Sequence, residues 1–316
     1  MNTIVVVGAS GYIGRYLIAE LLRVGNARVK VLSRPARPGA GRAVFPSEVE
    51  VVEGDLFDAD SLKQLCEPGC VVIHLAYLWD GGEAQNLAAI ANLMDACEAV
   101  KVKRLIHLST AMVAGRNNSQ RISEADACVP ITEYAQTKLK IEEKILNRTA
   151  HTYDAVILRP TAVFGPGSEN LKKLAGDLLA GSRIRNYLKS CLFNKRRMNL
   201  VQIANVIGAI VFLQQHQADL NGEVFIISDA DIAQNNFRDV ERLLMKEMGV
   251  PDYRLPRLNM PAAILGGLLS IMGKDNTNPR SDYVSTKLDL FGFKKSMDFE
   301  RAVSDYAASY RSSMQQ

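Results

Sequence analysis

Tyr134 and Lys138, in the run Tyr134-Ala-Gln-Thr-Lys138, stand four residues apart at the start of a predicted helix. That spacing sets a phenol and an ammonium on one helical face, about 6 Å apart. The lysine's positive charge is expected to lower the phenol's pKa. A phenol tuned in this way exchanges a proton with a hydroxyl or carbonyl near neutral pH. The pattern Y-x-x-x-K also arises by accident on helical surfaces, so a partner is what discriminates. Leu108-Ser109-Thr110 supplies one at the end of an apolar run upstream, where the Thr110 hydroxyl can hold the same substrate oxygen.

A second constellation opens the chain. Ile4-Val-Val-Val7 leads into Gly8-Ala-Ser-Gly11-Tyr-Ile-Gly14 and then an amphipathic stretch. The glycines are spaced G-x-x-G-x-x-G, not G-x-G-x-x-G, but their roles transfer: Gly8 for a tight turn, Gly11 for close approach of a pyrophosphate, Gly14 for helix-on-strand packing. Helix-start amides then face the anion. The second apolar run ends Leu32-Ser33-Arg34, where an NAD site usually places an acid for the ribose 2′-hydroxyl. No acid is present. Arg34, with Arg37 behind it, offers charge-assisted bonds to a 2′-phosphate and Ser33 a small hydroxyl, which favours NADP while leaving NAD possible. Asp55, in Gly54-Asp-Leu56, is either an acceptor for an adenine amino group or a turn and cap residue.

These residues need elements to hold them. β-branched runs at 4–7, 29–32, 49–52, 71–75, 105–108, 155–158 and 224–227 leave room for helices between them. The alternation predicts an α/β fold, a Rossmann doubly wound parallel sheet of about seven strands. It breaks after Gly165-Pro-Gly167, and 201–213 reads as a helix returning to the sheet. The expected organisation is therefore interleaved: an NADP-binding domain over 1–165 and 197–228, and a smaller substrate-binding region over 166–196 and 229–316. With 47% apolar and 23% charged residues, the 316-residue chain reads as globular. A net charge of +4 implies no nucleic-acid partner. Five cysteines without paired spacing argue against a disulfide framework or zinc site, and no metal is expected. The absence of a signal-like start, and an apolar run 260–272 too short for a bilayer, predict a cytoplasmic protein without a membrane partner.

Six motifs in order carry a family resemblance: Gly8 to Gly14; Gly54-Asp55-Leu56; His74-Leu-Ala76; Leu108-Ser-Thr-Ala-Met-Val-Ala-Gly115; Tyr134 to Lys138; and Leu158-Arg-Pro-Thr-Ala-Val-Phe-Gly-Pro-Gly167. The chain resembles an extended short-chain dehydrogenase/reductase of the NAD-dependent epimerase/dehydratase family, nucleotide-sugar modifying type. The resemblance implies that Thr110 is the catalytic Ser/Thr, Tyr134 the acid/base, and Lys138 the lysine that also holds the nicotinamide ribose. It implies a cofactor site of Gly8, Ser10, Gly11, Tyr12, Ile13, Gly14, Ser33, Arg34, Arg37, Asp55, Leu56, Leu75, Ala76, Tyr134, Lys138, Pro160, Thr161 and Val163. Substrate contacts are expected from Thr110, Ala111 and Arg197, and a homodimer through helices near 84–100 and 134–147. Two departures stand out: Ala114 replaces a frequent tyrosine, and Asn205 stands where the family's returning helix usually carries an acid.

Dehydratases of this family resemble one another in an acid within two residues after the catalytic threonine, but here Ala111 and Met112 follow Thr110. An NADP preference points to net reduction, because an epimerase returns its hydride to the same substrate. The expected function is NADPH-dependent reduction of a keto group on a nucleotide-linked 4-keto-6-deoxyhexose, with Arg183, Arg185, Lys189 and Lys195-Arg-Arg197 as candidate pyrophosphate cations. A nucleotide-sugar 4-epimerase, a reductase of a steroid- or flavonoid-like ketone, and a non-catalytic NADP-binding protein are the alternatives. His74 and His107 read as core or cofactor-adjacent groups, not acid/base catalysts.

Overall fold

The computed structural model describes residues 2–35, 43–117, 119–148, 152–258, 280–295 and 298–314. Arg37 and the apolar run 260–272 lie outside them. The seven apolar runs become β1 (Asn2–Val7), β2 (Ala27–Ser33), β3 (Val49–Glu53), β4 (Val71–His74), β5 (Arg104–Leu108), β7 (Asp154–Pro160) and β10 (Val224–Ile227). They form one sheet in the order β10-β7-β5-β4-β1-β2-β3, parallel throughout from β3 to β7. Four short strands, β6 (Arg121–Ile122), β8 (Ala162–Phe164), β9 (Leu200–Gln202) and β11 (Asp282–Tyr283), make two further parallel pairs, β6 with β11 and β8 with β9.

β4 and β5 are buried along their whole length, and β1 is buried from its second residue. That is why these strands read as unbroken apolar runs and not as alternation: both faces of the sheet are covered. The crossovers are α1 (Tyr12–Val24), α2 (Ala59–Leu65), α3 (Gly82–Val100) and α4 (Glu133–Leu146). Leu17, Ile18 and Leu21 of α1 are buried, as the helical period predicts. On one side of the sheet Val5, Val72, Leu105 and Ile157 pack with Leu62, Ile90, Leu93, Met94 and Ile141.

The chain divides into two compact units. The first comprises Met1–Thr110, Thr132–Arg159 and Ala209–Phe225. The second comprises Ala111–Ile131, Pro160–Gly208 and Ile226–Gln316. Within the second, α5 (Lys172–Ala180), α6 (Arg183–Phe193), α7 (Ile203–Gln215, in part), α8 (Phe237–Glu247) and the helix Phe299–Met314 accompany the short strands. Phe164, Leu171, Leu200, Leu244, Val303 and Tyr306 form its core.

Arg104 is fully buried in the first unit. Its guanidinium donates to Asp154 and to the carbonyls of Leu213, His216 and Ala218, and so joins β5 and β7 to the end of α7. Among the described residues no helix is long and apolar enough to cross a membrane. No group of three or more His, Cys, Asp or Glu among them is placed to hold a metal ion.

Candidate active site

In the strand order, β1 is flanked by β2 on one side and β4 on the other, so the chain reverses direction of winding between β1 and β4. Open α/β sheets bind ligands at such a point, beyond the carboxyl ends of the strands. Gly8 follows β1 there and Leu75-Ala76 follow β4. The two approach closely: Leu75 N–H donates to Val7 O at 2.8 Å, and a Cβ at Gly8, whose φ is +90°, would lie 2.7 Å from Ala76 N. A Cβ at Gly14 would lie 2.4 Å from Gly8 O and 2.6 Å from Ala9 O. Glycine at 14 is therefore what lets α1 start against the turn.

Gly11 is the N-cap of α1 and supplies no side-chain cap, and the first turn carries no acid. The leading amides of the helix face no carboxylate of their own turn, in the field of the helix dipole. Ser10 and Gly11 are exposed, while Tyr12 and Ile13 are half-buried. This cradle fits the pyrophosphate of a dinucleotide. At the end of β2, Ser33 is buried and Arg34 exposed. Asp55 is half-buried and makes a turn: its Oδ1 accepts from Phe57 N–H at 3.0 Å and its carbonyl from Asp58 N–H at 3.0 Å. Leu56 beside it is buried.

The first unit also holds Thr110, Tyr134 and Lys138. Thr132 caps α4 by accepting from Ala135 N–H, which sets Tyr134 in the first turn and Lys138 one turn on. The Lys138 side chain is buried, donates to Leu108 O at 2.8 Å and lies over the Tyr77 ring at 5.5 Å. Its anchor is thus the last residue of β5, two positions before the buried Thr110. Ser109 between them bonds through its amide to Leu158 O at 2.8 Å, and its buried hydroxyl has no partner among the described residues.

Electrostatics depart from the sequence expectation. Burial pulls the Lys138 ammonium down to about 8, with the Glu142 charge opposing. Glu142, one further turn along α4, is itself buried and paired with the Arg159 guanidinium at 3.1 Å. The Tyr134 phenol is pushed up to about 12, first by burial and then by Tyr77, whereas the sequence reading has the lysine lowering it. The reason is that desolvation penalises the phenolate, while the ammonium spends its bond on Leu108 O.

Two features were not anticipated. Tyr77 and Trp79 enclose Tyr134: the Trp79 ring stacks on Tyr134 with centroids 5.2 Å apart and planes 12° apart, and Tyr77 meets Tyr134 edge-on at 4.8 Å. The signal was present as two aromatics directly after β4, at the sheet's ligand-binding end. Beneath them His74 and His107, opposed in the β4–β5 register, share a contact of 2.9 Å between their Nδ1 atoms. Burial, and then the Lys138 charge, depress both, His74 to about 3 and His107 well below its ordinary range. The pair is therefore neutral, one ring donating to the other.

The remaining expected residues lie in the second unit or at its start. Pro160 ends β7, and the buried Thr161 donates its N–H to Ile227 O at 3.1 Å. Val163 is half-buried and its carbonyl accepts from Asn170. Ala111 and Ala114 are buried in a short 3-10 turn, packed with Ile122, Ile226 and Tyr283. Arg197 is committed to the Asp282 carboxylate and to Ala230 O at 2.8 Å. Asn205, at the position where an acid was expected, donates to the buried carboxylate of Asp229 at 2.9 Å.

Residues 4–228 match the family model described as the NAD dependent epimerase/dehydratase family. A curated relative is the sterol-4-alpha-carboxylate 3-dehydrogenase, decarboxylating, of Candida albicans, 26% identical over 293 residues that cover 85% of this chain and 82% of that protein. Among solved structures, the Bordetella bronchiseptica enzyme WbmH in complex with NAD+ superposes with a TM-score of 0.72 at 19% identity, covering 98% of each chain. The UDP-glucuronic acid 4-epimerase of Bacillus cereus in complex with NAD gives 0.70 at 19% identity, over 98% of this chain and 96% of that one. The two structural likenesses bear on the fold, and the family match extends through the glycine turn, Thr110, Tyr134 and Lys138: the chain is an enzyme of the NAD-dependent epimerase/dehydratase family, of the extended short-chain dehydrogenase/reductase type.

Proposed function

We propose that this protein is an NADPH-dependent oxidoreductase that interconverts a ring ketone and a secondary alcohol, working as a ketone reductase. The carrying observation is the anchoring of buried Lys138 on Leu108 O, which ties the Tyr134 helix to the end of β5, two residues before Thr110. The chemistry supplied by a bound nicotinamide dinucleotide is hydride transfer. Gly8, Gly11 and Gly14 shape the cradle for its pyrophosphate, and exposed Arg34 beside Ser33 takes the 2′-phosphate. Ala76 adds to the cofactor contacts of the first unit in this reading. Thr110 donates to the substrate carbonyl oxygen and Tyr134 delivers the proton to it. A phenol held near 12 is protonated across the physiological range, which suits a donor in the reductive direction. Lys138, charged below about 8, orients the ribose and replenishes that proton.

For the substrate, the cations expected to hold a nucleotide pyrophosphate are largely engaged. Arg183 donates to the carbonyls of Pro251 and Asp252, Arg185 and Lys189 pair with Asp177, and Lys195 pairs with Asp239. Arg197 is held by Asp282. A nucleotide-linked keto sugar must displace these partners, so the specific observation favours the second reading, an uncharged polycyclic ketone, in line with the sterol substrate that the curated relative's name records.

The test is absorbance at the nicotinamide band with steroid ketones and UDP-linked keto sugars. The expected result is NADPH oxidation that Tyr134→Phe lowers by about 10²- to 10⁴-fold. Interconversion of sugar epimers without net NADPH oxidation overturns the reductase reading.

A further inference from the structure

The chain contains one tryptophan, and it stands 75% exposed beside the proton donor. An indole left in water needs a reason, because it is among the largest apolar surfaces a protein can bury. Trp79 lies flat on one face of Tyr134 and leaves its other face open. Tyr77 braces it edge-on, with centroids 4.8 Å apart.

The loop carrying both rings is fixed from below. Asn86, buried in α3, accepts from Leu78 N–H at 2.9 Å and donates to Leu78 O at 2.9 Å and to Gly82 O at 2.7 Å. Leu78 sits between the two aromatics, so one amide clamps the backbone of the residue that separates them. Gly81 N–H adds a turn bond to Leu78 O at 3.1 Å. The aromatic pair is therefore pre-organised, and a ligand that uses it has little loop ordering to offset.

We propose that Trp79 is a substrate platform: its open indole face binds the apolar ring system that extends beyond the reacting ring when the substrate oxygen sits at Tyr134, so that the enzyme selects polycyclic, C–H-rich ketones over small ones. This rests on the Tyr134 reductase reading and adds the element that recognises the substrate. Among the described residues the ring partners of Trp79 are Tyr77 and Tyr134, and neither is a charged side chain. Its contribution is accordingly dispersion and burial, which scale with the ring area laid on it.

Since Trp79 is the single tryptophan, intrinsic emission of the whole protein reports on it. Titrate protein saturated with NADP+ with a 3-ketosteroid, with cyclohexanone and with UDP-glucose, then measure kcat/KM for the two ketones in wild type, Trp79→Ala and Trp79→Phe. The expected result is saturable quenching or a blue shift with the steroid only. The steroid-to-cyclohexanone ratio of kcat/KM is expected to fall about tenfold in Trp79→Ala and to recover largely in Trp79→Phe. A residue that merely propped Tyr134 would lower both ketones equally and leave the ratio unmoved, which overturns the platform. Steroid turnover with unchanged emission also overturns it, as does a shift produced by UDP-glucose in place of the steroid. Absence of turnover with every ketone, despite a steroid-induced shift, instead defeats the reductase reading on which the platform rests.

Discussion

Replacing Lys138 with methionine separates what this lysine contributes to chemistry from what its burial costs the fold. A fall from an ordinary 10.5 to about 8 corresponds to about 3 kcal/mol of selection against the ammonium form. Because the folded value is depressed, the stability contributed by this group is present above 10.5 and lost as the pH falls through about 8. Below that the buried charge is carried at full cost. Methionine has similar length and no charge, so its stability lacks this slope. It also forfeits the bond to Leu108 O, about 1–3 kcal/mol, which lowers the whole curve, while the difference in that bond between ammonium and amine is already contained in the displaced pKa. Tyrosines with raised pKa, such as Tyr153 and Tyr306, titrate equally in both proteins. Denaturant unfolding at about pH 7 and about pH 9.5 should therefore show the wild type gaining about 2 kcal/mol relative to Lys138→Met over that interval. Parallel stability curves would refute the argument that the lysine is held against its own desolvation.

Four further outcomes follow from the geometry. Arg34→Ala should reduce the preference for NADPH over NADH about 10- to 100-fold, the loss of one or two charge-assisted bonds; an unchanged ratio of kcat/KM removes Arg34 from the 2′-phosphate role. Gly14→Ala places a Cβ 2.4 Å from Gly8 O and should abolish the thermal shift produced by either dinucleotide; a retained shift means the turn is not the cradle. Arg104→Met strands Asp154 and three carbonyls, and should cost about 3–5 kcal/mol in chemical denaturation without a change in cofactor preference. In the reductive direction the rate should fall above about pH 8 as Lys138 loses its proton, while Tyr134 stays protonated to about 12; a break that is unaltered in Lys138→Arg assigns it elsewhere.

The sheet was readable from the chain because its strands are buried on both faces. A run such as Val71-Val-Ile-His has to be apolar whatever its neighbours are, and all seven such runs entered the one sheet. The helical faces were readable for the same reason, except where α4 buries Thr137, Lys138 and Glu142 among its apolar residues. Such polar burial depends on partners far along the chain, Arg159 and Leu108 O, which no local period reveals. The place of the glycine turn before α1, and of Tyr134 and Lys138 one turn apart on α4, was legible because local spacing sets it. Trp79 was not, since its meaning comes from a ring 55 residues away. The cations of the second unit were visible as charges, but their carboxylate and carbonyl partners were not.

The strand order also bears on how the protein emerges from the ribosome. Strands β3, β2, β1, β4 and β5 are contiguous in the sheet and all lie within the first 108 residues. The glycine turn and its neighbouring strands can thus pair while most of the polypeptide is still unmade. β10, which flanks β7 at the opposite border, is not translated until residue 224. Until then β7 presents a bare row of amides and carbonyls, an invitation to pair with another nascent chain. Synthesis speed through the intervening stretch therefore sets how long that sticky margin stays open.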